Sequence, residues 1–313
     1  MDFKYILLLS TIFFSVGFNL MFQWIYIHKK KFDPINVRSS HNTLATRTGG
    51  ISLFSTLFIF TLYFYFLKNE LYDFSLIIPL SIIFVIGVYD DFYDADFKLK
   101  FFIQIIVAKL IIDNGFLINN LYGTFGIYEI PNLLAQFITV LMFLIIVNSI
   151  NFIDGIDGLT TSYSIYSIIS IQIMHLNSSL SILNLICIGS LLPLFYFNFK
   201  RENKVFLGDA GSLFLGCLIA LNVFLFLNNS TQLKFEGADK RIILILILFY
   251  PLFDLARVSL IRIYNKKSPF EADKNHLHHL LLKKIKPHFL IVMLILSLNI
   301  LLYYSYSFYV KHY

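Results

Sequence analysis

The chain alternates long apolar runs with short polar interruptions. Ten runs approach the length needed to cross a ~30 Å hydrocarbon core: residues 5–27, 50–67, 74–89, 101–118, 132–149, 159–176, 180–197, 212–228, 241–260 and 288–309. Several lie near the short limit, which predicts tilting or a locally thin bilayer. The runs are continuous and do not alternate every second residue, so they predict a helical bundle, not a barrel. The first run is too long for a secretory signal core and lacks a small-residue cleavage site, so it is read as a true span. Pro251, inside the ninth run, predicts a kink there. The expected fold is all-α: a polytopic membrane protein of about ten transmembrane helices, with residues 1–313 forming one integral-membrane domain.

Composition agrees with this pattern. Of 313 residues, 58% are hydrophobic and only 14% charged, and the mean hydropathy is +0.73, which excludes an ordinary soluble domain. The net charge of +6 is concentrated on one side. One set of loops holds Lys29, Lys30, Lys31, Arg38, Arg47, Lys98, Lys100, Lys200, Arg201 and Lys204, then the basic residues from Arg262 to Lys286. The other set holds Lys4, Lys68, Lys234, Lys240, Arg241 and Lys311. This asymmetry predicts that the first set is cytoplasmic and that both termini lie outside. A basic face of this kind suits anionic lipid headgroups and phosphorylated substrates; no basic stripe stands clear of the membrane, so no nucleic-acid partner is expected. Cys187 and Cys217 fall within apolar runs and form neither a disulfide framework nor a metal motif.

Candidate chemistry lies in the interruptions. Between the fifth and sixth runs come Asn148, Asn151, Asp154 and Asp157, with Gly155 and Gly158. Acids beside hydrocarbon mark a working site by default, and spacing by three puts Asn148, Asn151 and Asp154 on one helical face while Asp157 drifts off it. A solvated acidic turn is the alternative. Asp90 and Asp91 repel one another unless a cation intervenes or one is protonated; Mg²⁺ bound by carboxylates and phosphate oxygens would answer this, with Lys100 as a point charge for phosphate. Asp209, between Gly208 and Gly211 at a helix start, can hold a metal beside exposed amides, or can simply cap the helix. Phe206 can stack on a base or serve as core. Arg47 precedes Gly49-Gly50, which suggests close backbone packing. The ninth run contains Asp254 and Arg257 and is partly polar-lined. Beyond it, His276, His278 and His279 suit hydrogen bonding to a diphosphate better than zinc ligation, because no cysteine accompanies them.

Jointly, these motifs resemble the polyprenyl-phosphate N-acetylhexosamine-1-phosphate transferase family, glycosyltransferase family 4, with its WecA-, TagO- and MraY-like branches. The resemblance runs from about Arg38 to His279. It is carried by Arg38/His41/Arg47-Gly49-Gly50, Asp90-Asp91 with Lys100 and Gln104, the Asn148-to-Gly158 stretch, Phe206-Leu-Gly-Asp209, and Ala272-Asp273-Lys274-Asn275-His276-Leu-His278-His279. It implies transfer of a sugar-1-phosphate from a UDP-sugar to undecaprenyl (polyprenyl) phosphate, releasing UMP and initiating a cell-surface glycan. It further implies Mg²⁺ as cofactor with Mn²⁺ as a substitute, a bacterial inner-membrane location, a groove on the cytoplasmic face, and room for a homodimer. By the same resemblance, Asp209, Asn151 and Asp91 are metal ligands; Asp90, Asp91, Asp209, Lys100, His276 and His278 form the catalytic set. Arg47, Asn148, Asn151, Asp154, Asp157, Phe206, Arg262 and His279 are the substrate-facing set, with Phe206 stacking on uracil and Asp157 reading its edge. Asp94 and Asp96 make the first acidic loop more negative than the family pattern.

The His-Leu-His-His form favours the WecA/TagO branch over a muramoyl-pentapeptide substrate, and UDP-GlcNAc is the first choice of donor. A lipid phosphate is already largely dianionic at neutral pH, since its second pKa is about 6. Asp90 and Asp91 are therefore expected to act mainly through positioning and metal, with general-base action secondary. A transporter would also carry intramembrane acids, but no matched pair of half-helices appears in two repeats. A CDP-alcohol phosphotransferase needs a different sequence after Asp154-Gly155.

Overall fold

The computed structural model describes residues 3–33, 44–68, 73–124, 126–174, 178–228, 239–268 and 275–312. Arg38, His41, Ala272, Asp273 and Lys274 lie outside the described residues. Every predicted span is helical: α1 (Phe3–His28), α2 (Gly49–Phe66), α3 (Ile77–Tyr93), α4 (Phe97–Asp113), α5 (Asn132–Phe152), α6 (Leu159–Met174), α7 (Ser181–Asn198), α8 (Gly208–Asn228), α9 and α10 (Lys240–Ile247 and Phe249–Tyr264), then, after the short α11 (Leu277–Leu282), α12 (His288–His312). Among the described residues, seven helices are long and apolar enough to cross a membrane, or eight if α9 and α10 form one bent span. The expectation of about ten is not reached by that measure because α4 has 17 residues and α6 has 16.

The centre of the bundle is α8. It is apolar all round, as a helix enclosed on every side must be, and 94% of its most apolar stretch is buried. Around it pack α2, α3, α5, α6 and α9. Glycines permit the closest approaches. A Cβ on Gly50 of α2 would lie 2.3 Å from the Gly211 nitrogen, and one on Gly87 of α3 would lie 2.5 Å from the Ala210 Cα. The first turn of α8 is therefore wedged, backbone against backbone, between α2 and α3.

The ninth span bends by 73° at Leu248. Pro251 lacks an N–H and frees the Ile247 carbonyl, which accepts instead from the Tyr163 hydroxyl at 2.7 Å. Two small sheets depart from the all-helical expectation. Strand β1 (Ala45–Thr46) pairs in parallel with β4 (Lys204–Val205), and the ladder continues as Gly49 N–H donates to Phe206 O (2.9 Å) and Gly50 N–H to Leu207 O (2.8 Å). The segment leading into α2 is thus zipped to the segment leading into α8. At the opposite end, β2 (Asn120–Thr124) and β3 (Ile127–Glu129) form an antiparallel hairpin between α4 and α5.

Candidate active site

Chain direction brings the polar motifs to one end of the bundle. The C-terminal ends of α3, α5 and α10 meet there with the N-terminal ends of α2, α4 and α8. Asp90 and Asp91, expected in a loop, occupy the last turn of α3. Neighbours on a helix point about 100° apart, and these two diverge. Asp90 turns toward α4, where Oδ2 accepts from Lys100 Nζ at 2.7 Å and Oδ1 from the Ala95 N–H at 2.8 Å. Asp91 turns toward α8 and accepts from the Asp209 and Ala210 N–H groups, both at 3.0 Å. It caps a helix of which it is not a part, using amides that carry the positive end of the helix dipole. Gly208 (φ +72°) makes room for it: a Cβ there would lie 2.6 Å from Asp91 Oδ2.

Arg47, beyond β1, crosses to this pair, with Nη1 3.6 Å from Asp91 Oδ1 and Nε donating to Asp33 Oδ1 at 2.5 Å. Burial would lower its pKa, but Asp33, Asp91 and Asp209 raise it. From α5, Asn151 Nδ2 donates to Asp209 Oδ1 (2.6 Å) and Ser212 Oγ (2.8 Å). One turn back, Asn148 exchanges hydrogen bonds with Gln104 of α4 at 2.8 and 3.3 Å. Asp154 lies past the end of α5, so it does not continue the Asn148–Asn151 face; burial first, and the nearby charge of Asp209, push its carboxyl up to about 7. A cavity of about 470 Å³ opens beside Arg47 and Asp91, lined also by Tyr26, Lys30, Lys31 and Asp94.

Asp94 and Asp96, whose extra charge departed from the family pattern, have local work. Asp94 ends α3 in the left-handed region, and Asp96 caps α4 by accepting from Lys98 N–H at 3.2 Å.

A second group adjoins the first. The Asp157 carboxylate is held by Lys204 Nζ and by His288 Nδ1, the latter at 3.0 Å. Burial would raise its pKa, but the contacts with His288 and Lys204 bring it below the ordinary value. Gly158 (φ +75°) lies against the Phe199 ring, where a Cβ would meet the ring at 2.1 Å. Phe206 is half-buried one residue beyond β4. His276 and His278 stack at 5.6 Å, and Phe152 lies 5.6 Å from His276. His278 is fully buried: Nδ1 contacts the Tyr250 hydroxyl at 3.2 Å, and Nε2 faces Gly155 without a hydrogen-bond partner among the described residues. Burial, then His279 and His276, hold its pKa well below the ordinary value, so it is a neutral donor or acceptor. The His279 ring lies against it, tilted by 55° with centroids 4.3 Å apart.

Among the described residues, no three His, Cys, Asp or Glu side chains converge with metal-ligand spacing. What does converge is the Asp209 carboxylate with that of Asp91, each oxygen of which keeps a lone pair after accepting one amide; Asn151 presents its Nδ2 to Asp209 and offers an oxygen only with its amide turned over. Hard oxygen donors, too few to fill a shell, suit Mg²⁺, which keeps waters and phosphate oxygens as its other ligands.

The chain matches glycosyl transferase family 4 over residues 73–227. A probable undecaprenyl-phosphate N-acetylglucosaminyl 1-phosphate transferase of Bacillus subtilis is 31% identical over 261 residues, covering 80% of this chain and 69% of the relative. The undecaprenyl-phosphate alpha-N-acetylglucosaminyl 1-phosphate transferase of Pasteurella multocida is 34% identical over 266 residues, covering 80% and 71%. Its Escherichia coli counterpart is 28% identical over 261 residues, covering 80% and 69%. The chain belongs to glycosyl transferase family 4. This family member brings together Asp90, Asp91, Lys100, Arg47, Asn148, Asn151, Asp154 and Asp209 around the α8 N-terminus, and Asp157, Phe206, Arg262 and the histidines flank them. Lys204 and His288 were missed as partners of Asp157. Lys204 reads in the sequence as a topology charge, and His288 merely opens the last apolar run.

Proposed function

We propose that the protein transfers GlcNAc-1-phosphate from UDP-GlcNAc to undecaprenyl phosphate, releasing UMP, at the cytoplasmic face of a bacterial inner membrane. The observation that carries this reading is the meeting of Asp91, Asn151 and Asp209 at the N-terminus of α8. Mg²⁺ would be held there by the Asp209 and Asp91 carboxylates, with Asn151 joining through Oδ1 once its amide turns over; it would supply charge neutralisation between the two phosphorylated substrates.

The rest of the chemistry is positioning. Arg47 and Lys100 flank the acids and offset repulsion between the lipid phosphate and the donor diphosphate. The attacking phosphate oxygen is already ionised, and Asp90 and Asp91 are committed to Lys100 and to the α8 amides, so neither is poised as a free base. Uracil is received by Phe206, with the Asp157–Lys204 pair at its edge; because Lys204 and His288 already hold the Asp157 carboxylate, Lys204 is as suited as Asp157 to reading a base oxygen. Arg262, His278 and His279 take the diphosphate and sugar; His276 has both ring nitrogens engaged, by Asp254 and Arg262.

The test is to incubate purified protein with Mg²⁺, undecaprenyl phosphate and a panel of UDP-N-acetylhexosamines and follow UMP. Metal-dependent release with UDP-GlcNAc is expected, together with a diphosphate-linked lipid. Release from another UDP-sugar alone would replace the sugar; uptake into proteoliposomes with no UMP formed would replace the reaction.

A further inference from the structure

The one acid of the ninth span is not absorbed by the site described above. Asp254, on the bent α10, is 1% exposed. A carboxylate buried at membrane depth must be fully partnered, and its partners are consecutive residues of one segment. Oδ1 accepts from the Leu277 N–H at 2.9 Å, capping α11, and Oδ2 meets His276 Nδ1 at 2.8 Å. Arg257, three residues along α10, donates to Asp254 Oδ1 at 2.8 Å and to the Asn275 carbonyl. An i, i+3 acid–base pair on α10 thus grips residues 275, 276 and 277 in succession.

The contacts also order a proton. Asp254 as a carboxylate only accepts, and a guanidinium only donates. His276 lies between the two, with Nδ1 on Asp254 and Nε2 3.4 Å from Arg262 Nη2. The proton belongs on Nδ1, leaving the Nε2 lone pair to accept from Arg262. Arg262 is itself 3% exposed and packs over the Phe152 ring at 5.9 Å, next in sequence to Asn151.

We propose that Asp254 is a positioning residue that fixes the Nδ1–H tautomer of His276 and, through it, aims the Arg262 guanidinium at the donor diphosphate. This rests on the transferase reading for what Arg262 meets, but the tautomer and the contact with Arg262 are properties of the protein alone. The carboxylate touches no substrate. It acts as the carboxylate behind a metal-bound histidine does, by choosing which nitrogen carries the proton; there, disruption of the partner lowers metal affinity or activity by about 10–100-fold.

Two variants test it. Asp254→Asn keeps the shape but presents an amide that can donate to Nδ1 and drive the proton to Nε2, where it would oppose Arg262. His276→Asn keeps a donor for Asp254 and leaves the Arg257 and Leu277 contacts in place, so it preserves the fold if Asp254→Asn does not. Each is expected to lower kcat/KM for the UDP-sugar by about 10–100-fold while leaving KM for the polyprenyl phosphate within about twofold; the double variant should be no worse than either single. Losses that multiply in the double variant, or a His276→Asn protein as active as wild type, overturn the relay. Independently of activity, ¹⁵N-histidine NMR of the wild type should show His276 protonated on Nδ1. A resonance for Nε2–H overturns the proposal even in a protein that turns over, whereas Nδ1–H in a protein that releases no UMP preserves the relay and sinks the transferase reading.

Discussion

The two ends of the bundle handle charge in opposite ways. At the hairpin end, Arg241 is matched: Asp239 accepts from its Nε at 2.9 and 3.0 Å, and Nη1 donates to the Leu121 carbonyl at 2.9 Å and to Thr124. Tyr122 of the hairpin reaches the Leu227 carbonyl at the end of α8. One cation meets one anion and the remaining capacity is spent on backbone, so this cluster is a clasp. At the other end, Asp90, Asp91, Asp154 and Asp209 gather around Arg47 and Lys100, and the acids outnumber the bases. Rigid amides and close-packed glycines hold this excess in place. A matched polar cluster stabilises, whereas an unmatched one held rigid is prepared for a charge that arrives from outside.

The sharpest way to break the contrast is to remove a charge from each end. Asp209→Asn should reduce UMP formation by about 10²–10³-fold, the range for losing one preorganised electrostatic group, with the thermal midpoint in detergent unchanged or raised as acid–acid repulsion falls. Next in size is the scaffold of the acidic end. Gly87→Val places side-chain atoms where a Cβ alone comes within 2.5 Å of the Ala210 Cα; overpacking of about 1–3 kcal/mol should lower the midpoint, and activity should fall further than stability because the α8 turn carries the amides for Asp91. Asp154 gives a pH signature. Its folded pKa of about 7 lies above the ordinary value, so the folded state binds more protons than the unfolded state and stability falls as pH rises toward 7, then levels. Melts of the Mg²⁺-free protein between pH 5 and 8 should show that slope, and Asp154→Asn should make it shallower. The smallest effect is expected at the clasp: Arg241→Ala should cost about 1 kcal/mol in stability and leave turnover within about twofold. A large loss of turnover there would erase the distinction between the ends.

Much of this was legible in the sequence because bundle and site both leave periodic or compositional marks. Apolar runs placed every long helix, and Asp90, Asp91, Asn151 and Asp209 stood out as polar residues against hydrocarbon. What stayed hidden were pairings between distant segments. Asp157 gave no sign that Lys204 and His288 would hold it, since neither spacing nor composition connects β4 with the start of α12. Asp254 was conspicuous as an intramembrane acid, but its grip on residues 275–277 depends on the bend at Leu248, whose angle Pro251 alone does not dictate. The β2–β3 hairpin escaped because its strands are too short to show alternation.

The parallel pairing of β1 with β4 joins segments separated by half of the polypeptide. As the chain emerges from the ribosome and its helices enter the bilayer in turn, the Arg47 segment must wait, unzipped, until α8 has been made. Only then can Asp91 find its amides. Nascent or truncated proteins consequently lack the assembled centre.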